Sequence, residues 1–580
     1  MSGGTKTSID YDEILCHVGQ FGPWQRKIFF LLWLTSAASG LSLVVFSFTA
    51  FNLGHRCPIS YCDGPNGLVI NDTSKLDSYS QCEYFTVGKE TLECFVCFAL
   101  KRLFILDFLF ENASIDNCNQ YINTLADDSV NKTKASCGYE DLIWDYSVVS
   151  SSIVKDYDFT CGNSYKKQIY GALYMIGMLF GSYTVGMISD KFGRMKALML
   201  CVIMIGSSGF FVVSFLPDAY SYGLVRFITG IGSISCFMVT FVLCVEYVGA
   251  KYTVFVGIAI DIPFALGELL LGVEAYFIRD WFTLQLVAYT PVLILLGLWF
   301  LVPESPRWLL ATGKIKEAEK IIGKGAEING KTIPEDTFKV EAKNENEDTF
   351  VFEEKPTFRD LFKPSIILKR SLNMMYQWFS VTMCYYGLTF ASVDLLADPY
   401  INFSLSCFIE IPGYFFCIFV MDCWGRRPIL SFCQLVSGIA CIAAGLMNGV
   451  ESLKALQIIL SLIGKFGASA CFAIVYVYTA ELFPTVIRNT AIGACSTVAR
   501  LGGMMAIMIG LLATYWTPAP MLIMGIVAVV AGTLALMLPE TVGNKLPETM
   551  DDAINIGKNS NRGICTCVCP QSLDEMFREN

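Results

Sequence analysis

The chain has 580 residues, of which 54% are hydrophobic and only 16% are charged, and its mean hydropathy is +0.51. This composition is too apolar for a soluble globular protein and is typical of a chain that packs against lipid. The net charge of −10 says little about partners, because the placement of Lys and Arg in loops matters more in a membrane protein.

The apolar residues fall into stretches that each have about the 20 residues a helix needs to cross about 30 Å of hydrocarbon. We therefore predict an all-α membrane protein with twelve transmembrane helices in two six-helix halves. The predicted spans are 28–50, 168–189, 197–216, 219–243, 253–277 and 282–302 in the N-terminal bundle (28–302), and 371–393, 400–421, 428–447, 455–478, 487–513 and 517–538 in the C-terminal bundle (371–538).

Basic residues predict the side of the membrane on which each connecting segment lies. Arg26 and Lys27 precede the first span, and the segment between the halves holds about a dozen Lys and Arg residues. By the positive-inside rule the N-terminus (1–27), the linker (303–370) and the tail (539–580) are cytoplasmic. Acidic residues replace the basic region of a signal peptide, so we expect the first span to be an uncleaved anchor in the plasma membrane.

The segment 51–165 is then predicted to be an extracellular loop, and two features of its sequence support that position. Glycosylation sequons begin at Asn71, Asn112 and Asn131 and have meaning only on the outer side. Eight cysteines predict up to four disulfides whose pairing the sequence does not select, and unpaired Cys94 and Cys97 are the alternative. The other six are Cys57, Cys62, Cys82, Cys118, Cys137 and Cys161.

Short charged motifs repeat in the two halves at a nearly constant offset. Asp190-Lys-Phe-Gly193-Arg194 follows the second span, and Asp422-Cys-Trp-Gly425-Arg426 follows the eighth about 232 residues later. A similar offset relates Glu246 to Glu481 and Pro303-Glu304-Ser305 to Pro539-Glu540-Thr541. The repeat indicates a duplicated six-helix unit, which is typical of transporters.

One further pattern is misleading. Gly325-Ala-Glu-Ile-Asn-Gly330-Lys331-Thr332 matches the letters of a phosphate-binding loop, but a helical run precedes it where such a loop needs a strand. The only histidines, His17 and His55, lie outside the predicted spans, so a histidine-ligated metal inside the membrane is excluded. We predict no enzyme activity, no metal or other cofactor, no ATP site and no nucleic-acid partner.

The motifs resemble those of a known family. Pro303-Glu-Ser-Pro-Arg307-Trp308 and the repeated Gly-Arg motifs are similar to the major facilitator superfamily. The Cys-rich loop and Ser152-Ile-Val-Lys-Asp156 resemble its organic cation, organic anion and carnitine transporters. Val475-Tyr-Val-Tyr-Thr-Ala-Glu-Leu-Phe-Pro, with Tyr276-Phe-Ile-Arg-Asp-Trp281, looks most like the carnitine and zwitterion branch. The resemblance implies the major facilitator fold and transport by alternating access.

The repeated charges lie at the predicted cytoplasmic ends of spans, where opposite charges can pair in one state of a gate and separate in another. The alternative is that they only set topology and cap helices. The predicted gating residues are Asp190, Gly193, Arg194, Glu246, Glu304 and Arg307 in the first half, and Asp422, Gly425, Arg426, Glu481 and Arg488 in the second.

Ionisable residues inside spans are costly in lipid and are therefore candidates for substrate binding. Arg500 lies about midway along the eleventh span and can bind a carboxylate with two hydrogen bonds. The resemblance supports this role, since anion- and zwitterion-transporting members carry Arg there. The alternative is an ion pair with Glu410 or Glu481. Lys465 supplies a second cation or a structural partner.

Asp261 and Glu268 lie seven residues apart in the fifth span and so share one helical face. They suit binding of the ammonium group of a zwitterion, proton coupling, or an ion pair with Arg226 or another buried cation. The remaining candidates are aromatic residues that can bind ammonium by cation–π attraction, with simple packing as the alternative. They are Phe237, Phe241, Trp378, Tyr385, Tyr386, Phe466 and Tyr476.

We predict a polyspecific transporter of small organic ions, namely carnitine-like zwitterions or organic anions. The alternatives are an organic cation transporter or uniporter, and a non-transporting receptor or scaffold. Expected partners are the lipid bilayer and coupled Na⁺ or H⁺. Sodium coupling is less expected, because Ser39 and Cys236 stand where the resemblance implies Asn in sodium-coupled members.

Overall fold

The computed structural model describes most of the predicted helical halves and a small part of the loop between the first two spans. The described residues are 11–52, 55–56, 83–87, 132–136, 143–144, 146, 148–160, 163–215, 218–333, 363, 365–392, 398–448, 450–514, 516–542, 547 and 550–556. The predicted glycosylation and disulfide residues lie outside these ranges, and both predictions stay predictions.

Each of the twelve predicted spans corresponds to helix in the structure. Within the described ranges, nine spans are long and apolar enough to cross a membrane: Pro23–Thr49, Tyr165–Phe192, Ala219–Tyr247, Thr253–Phe277, Trp281–Leu301, Pro399–Met421, Arg426–Leu446, Lys454–Leu482 and Thr490–Ala513. The remaining predicted spans are the helices Arg194–Phe215, Ser365–Ala391 and Ala519–Ala535. The chain is therefore a multi-pass membrane protein, and the first span is Pro23–Thr49.

Local chemistry fixes several helix ends. The Asp218 carboxylate accepts a hydrogen bond from the Ser221 amide at the start of the fourth span, and hydrogen bonding from Ser221 holds the pKa of Asp218 below its ordinary value. Asp398 caps the eighth span in the same way. Gly193 and Gly425 separate consecutive spans and have φ of 112° and 95°, a conformation that glycine adopts without steric cost.

The fifth and eighth spans are each interrupted near their middle. The fifth is formed by Thr253–Ala259 and Asp261–Phe277, and the eighth by Pro399–Phe408 and Glu410–Trp424. Pro263 and Pro412 lie in the first turn after each interruption and cannot donate a backbone hydrogen bond to the preceding turn, which explains both breaks.

Small residues bring neighbouring spans close together. A Cβ on Gly40 would lie 2.1 Å from the Phe264 carbonyl oxygen, and one on Gly267 would lie 2.0 Å from that of Ala37. The first and fifth spans therefore touch through their backbones, as is common between membrane helices. Ser36 also donates a 2.8 Å hydrogen bond to the carbonyl of Ile260, where the fifth span is interrupted. This packing positions the acidic face of the fifth span.

A second compact unit comprises 50–167 and 279–281. Its described part contains two antiparallel strand pairs, His55–Arg56 with Ile143–Trp144 and Glu83–Val87 with Lys132–Ser136, and the short helix Ile153–Asp156. Within this unit the Trp281 indole donates a 2.6 Å hydrogen bond to Asp156. The Ser152 hydroxyl caps the short helix by accepting from Val154.

Short helices accompany the charged ends of the spans: Tyr11–Val18, Pro306–Ala311, Ile315–Ile328 and Met550–Asn555. Buried side chains of the first three, including Leu15, Trp308 and Ile322, form one apolar cluster. Gly325 lies inside Ile315–Ile328 and packs against Trp24. The phosphate-loop letters therefore begin within a helix, a context that does not form a phosphate cradle.

Candidate functional site

The repeated charges of the first half form one cluster around Arg194. Its Nη2 lies 3.0 Å from Glu246 Oε1, and its Nη1 lies 2.7 Å from Asp190 Oδ1. Glu304 accepts 2.9 and 3.2 Å hydrogen bonds from the backbone amides of Arg194 and Met195. The Arg194 guanidinium thus joins three helix ends, and Glu304 caps the third span.

The second half repeats this arrangement around Arg426. Its Nη2 lies 2.9 Å from Glu481 Oε1, and its amide donates a 2.9 Å hydrogen bond to Glu540. A Cβ on Gly425 would lie 2.6 Å from Glu540, and one on Gly193 would lie 2.4 Å from Glu304. The side chain of Asp422 lies outside the described part.

Two predicted gating residues make different contacts, and one participant was not predicted. The Arg307 guanidinium lies 5.1 Å from the centre of the Tyr11 ring, and Arg488 Nε lies 3.4 Å from the Phe483 carbonyl oxygen. Glu540 was not among the predicted gating residues, although its offset from Glu304 matched that of the other repeated charges. The repeat could therefore have identified it.

The middle of the second half contains a buried ion pair. Lys465 Nζ lies 2.8 Å from Glu410 Oε1, and these side chains are only 1% and 0% exposed. Glu410 Oε2 accepts hydrogen bonds from the hydroxyls of Tyr385, at 2.8 Å, and Tyr414, at 2.9 Å. Lys465 also donates to Thr389 and lies over the Tyr385 ring. These contacts favour the structural role for Lys465.

Glu268 adjoins this pair, but no cation among the described residues forms an ion pair with it. It is fully buried, and its Oε1 lies 3.2 Å from the Tyr385 hydroxyl. Its Oε2 lies 3.7 Å from the Cys407 thiol. Two buried carboxyl groups therefore share one tyrosine hydroxyl, while one lysine neutralises one of them. Spacing in the sequence did not predict that Glu268, Glu410 and Tyr385 would be in contact.

Arg500 is a buried cation with few hydrogen-bond partners in the described part of the chain. It is 1% exposed, and Nη1 lies 3.3 Å from the Tyr386 hydroxyl. Nε and Nη2 are buried without a hydrogen-bond partner among the described residues. The two acids considered as its partners are engaged elsewhere, Glu410 with Lys465 and Glu481 with Arg426. A guanidinium in this condition can receive a carboxylate or phosphate.

Arg226 also lies away from the acids of the fifth span. Its guanidinium lies 4.4 Å from the Tyr174 ring centre and 5.0 Å from that of Phe46, and Nη1 lies 3.3 Å from the Tyr289 hydroxyl. The structure therefore does not show the ion pair considered for Asp261 or Glu268. Asp261 is buried without an ion-pair partner in the part of the chain described.

An aromatic cluster surrounds Tyr476. The ring of Trp378 lies 4.4 Å from it, that of Phe472 lies 5.6 Å away, and that of Phe241 lies 5.9 Å away. Tyr385 continues the cluster by packing 5.3 Å from Phe472. Phe472 was not predicted, although it lies four residues before Tyr476 and hence on the same helical face.

Tyr476 also connects the opposite charges, because it interacts electrostatically with both Arg500 and Asp261. Arg500 and Asp261, which lack ion-pair partners in the described part of the chain, therefore act on the same tyrosine. Two predicted aromatic residues lie in other contacts: Phe237 packs 5.3 Å from Phe264, and Phe466 packs 5.6 Å from Phe416.

Comparison with known proteins now gives the class. The model of the sugar (and other) transporter family matches residues 104–552. The organic cation transporter protein of Drosophila melanogaster is 31% identical over 560 residues, which cover 95% of each chain. Solute carrier family 22 member 2 of Homo sapiens is 30% identical and covers 94% of this chain, with 95% of its own length matched.

A third relative, organic cation/carnitine transporter 2 of Mus musculus, is 30% identical, with 94% of each chain covered. The protein is thus a major facilitator transporter and not an enzyme. It belongs to the sugar (and other) transporter family and, within it, to the solute carrier 22 group of organic ion and carnitine transporters. The predicted family is confirmed.

Solved structures show the same fold. The partially occluded inward-open xylose transporter XylE from E. coli matches with a TM-score of 0.58 and 16% identity, covering 90% of this chain and 100% of that one. The proton:xylose symporter XylE bound to 6-bromo-6-deoxy-D-glucose matches with a TM-score of 0.55 and 18% identity, covering 92% and 99%. The predicted major facilitator fold is confirmed.

Proposed function

We propose that this protein moves small organic ions across the plasma membrane by alternating access and prefers zwitterions that carry a carboxylate and an ammonium group. The observation that supports this most is Arg500, a buried guanidinium with two nitrogens that have no hydrogen-bond partner among the described residues. An unpaired buried charge is costly, so the site gains stability when a substrate supplies an anion.

The carboxylate end of the substrate binds Arg500. Nε and Nη2 both lack partners among the described residues, and a guanidinium can bind one carboxylate through two parallel hydrogen bonds. Such a pair recognises the shape of the carboxylate as well as its charge. The Tyr386 hydroxyl, 3.3 Å from Nη1, holds the guanidinium in place.

The ammonium end binds beside Asp261 and the ring of Tyr476. Asp261 supplies a negative charge, and the faces of Trp378 and Tyr476 attract a cation even when methyl groups prevent hydrogen bonding. Tyr476 interacts electrostatically with both Arg500 and Asp261, which supports a site where one small molecule contacts both charges. The names of relatives support this substrate class, since they include transporters of organic cations and of carnitine.

Alternating access rests on the clusters around Arg194 and Arg426. We place them on the cytoplasmic side, with both termini, because basic residues concentrate there. Each cluster joins three helix ends, so opening that side of the protein would require its ion pairs to rearrange.

Organic cations without a carboxylate are the second candidate substrate class. Asp261, Glu268 and Glu410 are three buried acids, and in the described part only Glu410 has an ion-pair partner, which favours positively charged ligands. On this alternative Arg500 would only organise the site.

Uptake into liposomes containing purified protein separates the two classes. The substrates are carnitine, betaine, tetraethylammonium and an aromatic carboxylate. We expect Arg500→Ala to reduce carnitine and betaine uptake about a hundredfold or more, since two charge-assisted hydrogen bonds contribute about 3 kcal/mol. Tetraethylammonium uptake should change much less. Arg500→Lys should restore only part of the activity, because an ammonium group lacks the planar fork.

Arg279→Ala is the matched control, because Arg279 is exposed outside the proposed site. It should leave all four uptake rates unchanged. Equal loss of every substrate in Arg500→Ala would favour a general structural role for Arg500. Carnitine uptake that stays at the wild-type rate would contradict the proposal, and transport of tetraethylammonium alone by the wild type would establish the second candidate.

A further inference from the structure

If Glu268 and Glu410 were both ionised, the hydrogen bonds that join them to Tyr385 would lack one hydrogen. The Tyr385 hydroxyl lies 2.8 Å from Glu410 Oε2 and 3.2 Å from Glu268 Oε1. A hydroxyl has a single hydrogen to donate, so it can serve only one of two ionised carboxylates. The other contact is a hydrogen bond only if that carboxyl group carries its own hydrogen.

The surroundings assign the ionised state to Glu410. It faces the Lys465 ammonium at 2.8 Å and accepts from Tyr414 at 2.9 Å in addition to Tyr385. These partners are what a buried carboxylate requires. Among the described residues, Glu268 is hydrogen-bonded to the shared Tyr385 and to the distant Cys407 thiol, and it also faces Glu410.

We propose that Glu268 binds a proton and that this residue is the proton-coupling site of the protein. As a neutral acid, Glu268 donates its hydrogen to the Tyr385 oxygen, while Tyr385 donates to Glu410. All three groups are then satisfied, and only one carboxylate faces Lys465. An ionised Glu268 would add a second buried negative charge without a partner, which is strongly unfavourable.

The coupling to substrate rests on the proposed function and follows from charge. The groups facing Glu268 are Tyr385 from the seventh span, Cys407 and Glu410 from the eighth and Lys465 from the tenth. Arg500 and Glu268 both interact electrostatically with Tyr386. Asp261 lies two turns before Glu268 on the fifth span. An ammonium group arriving beside Asp261 favours an ionised Glu268, so the proton leaves when the cation binds. Proton and organic ion therefore move in opposite directions.

Two measurements test this. The first is infrared spectroscopy of the purified protein, in which a protonated buried carboxyl group gives a distinct carbonyl band. We expect that band in the wild type and the loss of one component of it in Glu268→Gln, whose amide can still donate to Tyr385. Asp261, buried without an ion-pair partner among the described residues, can contribute a separate component that remains. Glu274→Gln is the matched control, an acid-to-amide change on the same span, and should retain the band. This measurement needs no substrate and no transport.

The second measurement uses liposomes with a trapped pH-sensitive dye. Substrate uptake by the wild type should make the interior more alkaline, and an acidic interior should accelerate uptake. Glu268→Gln should keep uptake down a substrate gradient and lose both effects, whereas Glu274→Gln should resemble the wild type. A wild type without the carbonyl band, a band that is unchanged in Glu268→Gln, or uptake driven by sodium and indifferent to pH would overturn the inference. Failure of every substrate to move, with the band behaving as expected, would overturn the transport function and leave the proton site standing.

Discussion

The charged ends of the spans and the buried charges between those ends obey different rules. At the ends, Arg194 and Arg426 lie in matching environments, each with a glutamate partner at 3.0 or 2.9 Å and a second glutamate that caps a helix. In the middle, Lys465, Glu410 and Arg500 come from the second half, and the charges there do not repeat. Arg500 lacks an anionic partner among the described residues.

The charged residues at the ends of the spans and those in the middle therefore have different roles in the two halves. The charges at the ends are satisfied within the protein, so their residues contribute to the integrity of each half. The middle contains unsatisfied charge, which costs stability and therefore indicates ligand binding. Substitutions at the two regions should accordingly affect stability and transport differently.

The largest loss of stability is expected when the satisfied pair in the middle is broken. Lys465→Met leaves Glu410 buried without its cation and should reduce the free energy of unfolding by about 4 kcal/mol. The double variant Lys465→Met with Glu410→Gln should recover much of that loss, because no unpaired charge remains. Thermal unfolding in detergent measures both. A double variant no more stable than the single one would show that the ion pair is not the cause.

The next largest effect tests whether the two ends are equivalent. Arg194→Ala and Arg426→Ala should each lower the free energy of unfolding by about 2 kcal/mol, since each change leaves a half-buried glutamate without its partner. The same unfolding assay should give similar shifts for both. Very different shifts would contradict the equivalence that the sequence repeat implies.

A smaller effect is expected at the glycines. Gly425→Ala forces a Cβ into a left-handed conformation and against Glu540, which should cost about 1 to 2 kcal/mol. Gly493→Ala is a suitable control, because a Cβ there meets no atom within 4 Å of the described structure. Equal stability of the two variants would show that the turn does not need glycine.

The smallest effect on stability is expected at Arg500. Arg500→Met removes a buried charge that lacks an anionic partner in the described part. The free energy of unfolding should therefore fall by less than about 1 kcal/mol or should increase. Carboxylate transport should nevertheless be lost. A large loss of stability would mean that Arg500 is satisfied within the protein, and the contrast between ends and middle would fail at its most important residue.

The sequence predicted the twelve helices and the repeated clusters because both depend on local information, namely hydropathy and motif spacing. It did not predict the breaks at Ile260 and Ile409, although Asp261-Ile-Pro263 and Glu410-Ile-Pro412 carry the same signal. Pairing within the middle was harder, because each acid had several possible cations. Packing selected Lys465 for Glu410, and no spacing rule relates residues on different spans.

The interruption in the fifth span has a geometric consequence. The second helix of this span begins at Asp261, which belongs to the first half of the chain, whereas Arg500 belongs to the second half. In the proposed transport cycle, a zwitterion bound at both residues would connect the two halves, with one charge attached to each. The distance between the substrate's two charges would then determine which molecules are transported. A molecule of matching length would draw the halves together, whereas a longer one would hold them apart and would be bound without being transported.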